Sequence, residues 1–231
     1  MPDTASDLPP HSAEPEAPKP KLSGGCIMIL VVFGWLFALA AWMGWHLLGQ
    51  VREMRTFTDA TAQAIAPTAP SGAEKATLLA RLSAFANGIE TNQPATLTLS
   101  IADLNHLLAS QAPISRLQDI AKVEDITDTI RVKVALALNG LPFTGERLYL
   151  NAFINVRPEV RKDAGLMLIT RSIEVPNRTL TPGFLATYLE ANHLDGLALD
   201  DVRKDEKLKS LLAKISTIRC EPGSVIVEYL P

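Results

Sequence analysis

The sequence predicts an α+β protein: an N-terminal transmembrane helix followed by an antiparallel meander sheet covered by helices. Three observations carry that prediction. An uncharged apolar run lies near the start, period-two segments joined by short polar turns fill the middle, and amphipathic helical segments flank them on both sides.

The apolar run extends from Ile27 to Leu48, and its only ionisable side chain is His46. As a helix rising 1.5 Å per residue, those residues cover roughly 33 Å, enough to cross a hydrocarbon core of about 30 Å. The run is too long for a signal-peptide core, and Trp42, Trp45 and His46 occupy the place of a small-residue cleavage site. Cys26 precedes the run, whereas a lipoprotein signal places its cysteine after it. Lysines 19 and 21 flank the start and Arg52 and Arg55 the end, so flanking charge gives no direction. The short leading tail and the Trp42/Trp45 pair, read as an aromatic belt at the far interface, favour a cytoplasmic N-terminus and an extracytoplasmic domain at the inner membrane of a cell.

The predicted division is therefore a Pro-rich disordered tail (1–25), the transmembrane helix (26–48), a juxtamembrane helix and linker (49–70) and an exported α+β domain (71–231). The tail holds six prolines and four acids and few large apolar residues, too little to offset the entropy of ordering. Residues Val51–Ala66 look like a continuation of the anchor helix, broken by Pro67-Thr68-Ala69-Pro70.

In the domain, Ser71-Gly72-Ala73-Glu74 has capping-box spacing. It opens a helix with Leu78, Leu79, Leu82, Phe85 and Ile89 on one face, stopping near Asn87-Gly88. Ala95–Leu99 alternates as a short strand. Ser100 and Asp103 repeat the cap spacing ahead of a second helix that ends before Pro113. From Lys122 the period becomes two: Ile130–Leu138 is a strand, Asn139-Gly140 begins a lengthened turn, and Leu148–Val156 is a strand ending at Pro158. Arg161–Gly165 is the next turn and Leu166–Val175 the next strand. Pro182–Asn192 is a helix with proline at its first position, and residues 203–215 form another. Ser216–Cys220 and Val225–Leu230 make a terminal hairpin.

In this order of elements, Leu99-Ser100-Ile101-Ala102-Asp103-Leu104-Asn105-His106-Leu107-Leu108 opens the matching part, and Phe153-Ile154-Asn155-Val156-Arg157-Pro158-Glu159-Val160, Gly165 and Val175-Pro176 continue it. Over roughly residues 95–231 the chain resembles the YpmS-like family of membrane-anchored bacterial proteins. The resemblance implies an N-terminal anchor and an exported domain, and it supplies no catalytic residue or settled activity. The Pro-rich tail and the helix at 72–89 depart from the family pattern.

Net charge is −3, with no block of like charge long enough to follow a nucleic-acid backbone, which excludes DNA and RNA as partners. The histidines and the two cysteines, Cys26 and Cys220, fall at no metal-ligand spacing, and no phosphate loop or nucleophile elbow is present. Neither a metal nor a cofactor is expected. His193 lies near Asp195 and Asp200-Asp201, a constellation that could orient a general base in a membrane-tethered hydrolase or transferase. The simpler reading is a helix terminus with acids facing water. Asn105 is expected to bond backbone, and Asp103 to serve as a first-turn acid.

The sequence favours a non-enzymatic module that binds a hydrophobic ligand, such as a lipid, or another envelope protein at the membrane. The strands carry large apolar residues on both faces: Tyr149 and Phe153 oppose Leu148, Leu150 and Ile154, while Met167, Ile169 and Ile173 oppose Leu166 and Leu168. Two-sided apolarity calls for cover from helices on both faces or from a bound apolar ligand, and these five residues, Tyr149, Phe153, Met167, Ile169 and Ile173, are the candidate ligand contacts.

Overall fold

The computed structural model describes residues 24–65, 71–110, 117–139, 147–161, 165–191 and 193–231. The Pro-rich tail to residue 23, the Pro67–Pro70 break, the connection after Asn139 and the middle of the Arg161–Gly165 turn lie outside the described residues. The chain forms two compact units, Met1–His46 and Leu47–Pro231.

The first unit holds most of helix α1 (Gly24–Phe57). Its large apolar side chains face outward: Trp35, Phe37 and Trp45 are each more than two-thirds exposed. Within the segment Val31–Phe57 a stretch of mean hydropathy 1.7 has nothing buried, and the helix is long and apolar enough to cross a membrane.

The second unit begins with the last turns of α1. Phe57 is fully buried, Val51 nearly so, and the helix ends there rather than continuing to Ala66. The physical reason is a competing partner. Asp59 exchanges backbone hydrogen bonds of 2.8 and 2.9 Å with Tyr149, and Asn151 Oδ1 accepts from the Gln63 N–H at 2.8 Å. Arg178 donates to the Thr58 carbonyl and the Asp59 carboxylate, both at 2.6 Å. The segment expected to be a helical linker is thus extended and stapled to the domain.

The domain contains α2 (Gly72–Glu90), β1 (Ala95–Ser100), α3 (Ile101–Ser110), β2 (Ala121–Ile126), β3 (Ile130–Asn139), β4 (Arg147–Arg161) and β5 (Gly165–Glu174). After these come α4 (Pro182–Ala191), α5 (His193–Lys204), α6 (Glu206–Leu212), β6 (Thr217–Glu221) and β7 (Ser224–Tyr229). The expected α+β class is observed, with two antiparallel sheets. Strands β2-β3-β4-β5 form the expected meander, and β1 joins the terminal hairpin in the order β1-β7-β6. The hairpin turn places Gly223 at φ +81°, where only glycine is at ease, after Pro222. The Gly223 N–H donates to the Ile126 carbonyl at 2.9 Å and ties the hairpin to the end of β2.

Both capping boxes form. The Glu74 carboxylate accepts from the Ser71 N–H at 2.9 Å, and Asp103 from the Ser100 N–H at 2.9 Å. Helix α2 runs to Glu90 rather than stopping at Gly88. Gly88 serves a close approach instead: a β-carbon there would stand 2.7 Å from the Ala95 β-carbon, so its absence lets α2 lie against β1.

Other elements also differ from expectation. β4 continues through Pro158 to Arg161, because β3 leaves β4 after the Ile130–Val156 pair and the ladder on that side no longer requires an N–H. A separate helix, α5, occupies 193–204, and Asp205 caps α6 by accepting from the Lys207 and Leu208 N–H groups. That cap breaks the single helix expected over 203–215. In β5 the pairing steps from Asn155–Ser172 to Val156–Thr170, leaving Arg171 as an extra residue. Such a bulge shifts the side-chain alternation by one. Ile173 therefore pairs with Ile154 on the core face, not opposite Leu166 and Leu168 as strict alternation predicts.

Candidate functional site

The domain buries two apolar clusters. The first packs Val134, Leu150, Ile154 and Val156 of the meander against Phe57, Tyr188 of α4 and Leu199 of α5. Burial pushes the Tyr188 phenol up to about 12. The second packs Leu97, Leu99, Val225 and Val227 of the small sheet against Leu78 of α2, with Val123, Ile126 and Ile215.

Between the clusters lies a cavity of about 690 Å³ that is not sealed from solvent. Each wall follows from local sequence pattern. The small sheet contributes Leu97 and Val227 from its alternating apolar face, and the meander contributes Val132, Val156, Leu166 and Leu168. Helix α2 presents Leu82, Phe85 and Ile89, the stripe visible at helical spacing, while α5 adds Leu199 and Val202 and α6 adds Leu208, Leu211 and Leu212. Among the described lining residues, Ser83 and Lys207 alone carry polar side chains. Among the described residues no buried side-chain nitrogen or oxygen lacks a hydrogen-bond partner, so the depths of the cavity offer no unpaired polar group.

The volume falls within the ~300–1,000 Å³ typical of small-molecule sites. Sealed and empty, a void of this size would cost roughly 17 kcal/mol at about 24 cal/mol per Å³, more than the whole stability of an ordinary domain. Opening to solvent reduces that cost by leaving apolar walls wet. An apolar occupant would remove it by restoring contact.

The five candidate ligand contacts stand elsewhere. Tyr149, Phe153, Met167 and Ile169 are half-buried on the opposite face of the meander, and Ile173 is in the first cluster; none lines the cavity. Phe153 has local cover: the Arg131 guanidinium sits 4.5 Å from its ring centroid and pairs with Glu174 at 2.8 Å. The Tyr149 backbone pairs with Asp59 of the stapled segment at the edge of β4. The residues that do line the cavity were visible as apolar stripes on α2 and α6. What one sequence could not display is that these stripes face a void and not a filled core.

The polar groups singled out in the sequence hold sheet edges. Asn105 Nδ2 donates to the Val123 carbonyl at 2.8 Å, and its Oδ1 accepts from the Val123 N–H at 2.7 Å, closing the free edge of β2. The expectation that Asn105 bonds backbone holds. Asp195 accepts from the Leu168 N–H and from Arg203, both at 2.7 Å, and Arg203 also donates to the Leu166 carbonyl at 3.1 Å. Together they close the edge of β5. Each Asp195 oxygen thus accepts one hydrogen bond, and the set ties the start of α5 to β5. The His193 side chain lies outside the described residues. Among the described residues, no three His, Cys, Asp or Glu side chains gather as a metal-ligand set. Asp103 is partly desolvated, which raises its pKa, but bonds from the Ser100 N–H and hydroxyl and from Arg81 outweigh this and hold it below the ordinary value. Burial raises the Cys220 thiol, as expected of a strand residue and not a nucleophile.

Fold and site together define an α+β module of two antiparallel sheets around an apolar cavity, carried behind a helix apolar enough to cross a membrane. Comparison of the chain with protein-family models and with curated proteins gives no match.

Proposed function

We propose that this is a single-pass, membrane-anchored, non-enzymatic module whose domain takes up an apolar ligand, a lipid, in the cavity between its sheets. The observation that carries the reading is the cavity itself: about 690 Å³, with walls from both sheets and from helices α2, α3, α5 and α6. An acyl chain entering it gains about 0.8 kcal/mol per buried methylene. Asp195 has a structural task that accounts for its burial, since it accepts from the Leu168 N–H and from Arg203 at the edge of β5. The resemblance to the YpmS-like family supports an orientation with the N-terminus in the cytoplasm and the domain outside, at a bacterial inner membrane.

The test is native mass spectrometry of the full chain, released from detergent micelles by collisional activation. One retained lipid-sized molecule per chain is expected, and it should be lost when the cavity is filled by Leu82→Trp or Ala86→Phe in variants of unchanged Tm. A bare chain mass, or the same adducts in the filled variants, refutes the reading and directs attention to protein partners.

A further inference from the structure

We infer that the ligand is a single-chain amphiphile with an anionic head, its tail in the cavity and its head at the rim beside Lys207. This rests on the lipid-binding reading and names the ligand class. Three observations lead to it.

The first is size. A methylene is close to a water in volume, so at about 30 Å³ each the cavity admits roughly 23 such units. One long acyl chain fits. The two chains of an ordinary phospholipid, roughly 32 units when each has about sixteen carbons, exceed that count and would extend beyond the mouth.

The second is where polarity stands in the lining. Ser83 is exposed on α2, and Lys207, with its side chain 77% exposed, lies in the first turn of α6. Leu79, also in the lining, is 41% exposed. The polar groups and this partly exposed leucine place the rim on α2 and α6, while the deep walls from the strands are wholly apolar. A polar head therefore has one destination.

The third is the sign of the charge. Among the described lining residues the one ionisable group is a cation, Lys207. Its partner, Glu90, stands 3.9 Å away with its side chain 55% exposed, and so long and exposed a pair holds Lys207 weakly. An incoming carboxylate or phosphate can take its place at little cost, whereas a cationic head would meet repulsion from Lys207.

The full chain in phosphatidylcholine nanodiscs, with empty nanodiscs as the blank, is titrated with cis-parinaric acid, a fluorescent long-chain fatty acid. Displacement is then followed with oleic acid, oleoyl lysophosphatidylglycerol, oleyl alcohol and dioleoyl phosphatidylglycerol. The two monoacyl anions should displace the probe, and their relative strength identifies a free fatty acid or a lysophospholipid as the better source. The alcohol should be weaker by about fivefold, the scale of one exposed ion pair, and Lys207→Glu should erase that preference at unchanged Tm. No probe signal above the blank overturns the cavity reading itself. Equal displacement by acid and alcohol, indifferent to Lys207→Glu, overturns the head assignment and leaves the cavity standing. Displacement by the diacyl lipid as strong as by its lyso form overturns the single-chain assignment alone.

Discussion

The two sheets are built from similar residues but reach different degrees of packing. The four-stranded meander comes from consecutive strands, and it buries Val134, Leu150 and Ile154 completely against Phe57 and helices α4 and α5. Strand β1 in the three-stranded sheet pairs with β7, more than a hundred residues later. That sheet shares its apolar face with a cavity. Local pairing brings complementary side chains together through short turns. Distant pairing, roofed by helices that also span to the other sheet, leaves space between. The meander also reaches the cavity through Val132, Val156, Leu166 and Leu168. The contrast is therefore between its filled side around Val134, Leu150 and Ile154 and the seam between the sheets, which has room for a ligand.

The largest effect is expected from emptying the packed side. Phe57→Ala should cost about 3–5 kcal/mol and should also loosen the stapled segment 58–63, seen as a lower Tm and faster amide exchange there. Next comes the edge closure. Asn105→Ala leaves both Val123 backbone groups without a protein partner and should cost about 1–3 kcal/mol, again read as a fall in Tm. Enlarging a small residue gives the sharpest contrast. Ala152→Leu, in the filled core, should destabilise by about 1–3 kcal/mol, while Ala86→Leu, on the cavity wall, should change stability by less than about 0.5 kcal/mol or raise it. Equal penalties at the two positions would mean the cavity is closed up in solution.

The smallest effect concerns pH. Asp103 is held below its ordinary pKa, so its contribution to stability is present above about pH 3.9 and is lost as pH falls through its lower folded value. Tm should therefore drop between pH 5 and pH 2 by less in Asp103→Asn than in the unaltered chain. An identical drop would locate the acid sensitivity in other carboxylates.

Much of the local architecture was legible because its causes are local. Ser71 with Glu74 and Ser100 with Asp103 announce helix starts through their spacing, and Pro182 does so through its missing N–H. What was not legible depended on partners far along the chain. Helix α1 stops at Phe57 because Asp59 finds Tyr149 and Arg178. The alternation of β5 slips at Arg171 because β4 dictates the register. Pro158 stays inside a strand because β3 has already left. The candidate contacts Tyr149, Phe153, Met167 and Ile169 were chosen for apolarity on the less obvious face, but apolar area does not tell whether a neighbour, a cation such as Arg131, or a void stands opposite.

By itself, then, the sequence determined the α+β class, the apolar helix at the start, the two capping boxes and the apolar face of each helix, all properties of residues within a few positions of one another. Only the tertiary structure decided that β1 belongs with β7, that Asn105 and Asp195 close the two edges of the meander, and that the helical stripes surround a cavity instead of a core. Those outcomes depend on how surfaces distant in sequence fit together, and fit is a property of volume and shape that no single stretch of chain contains.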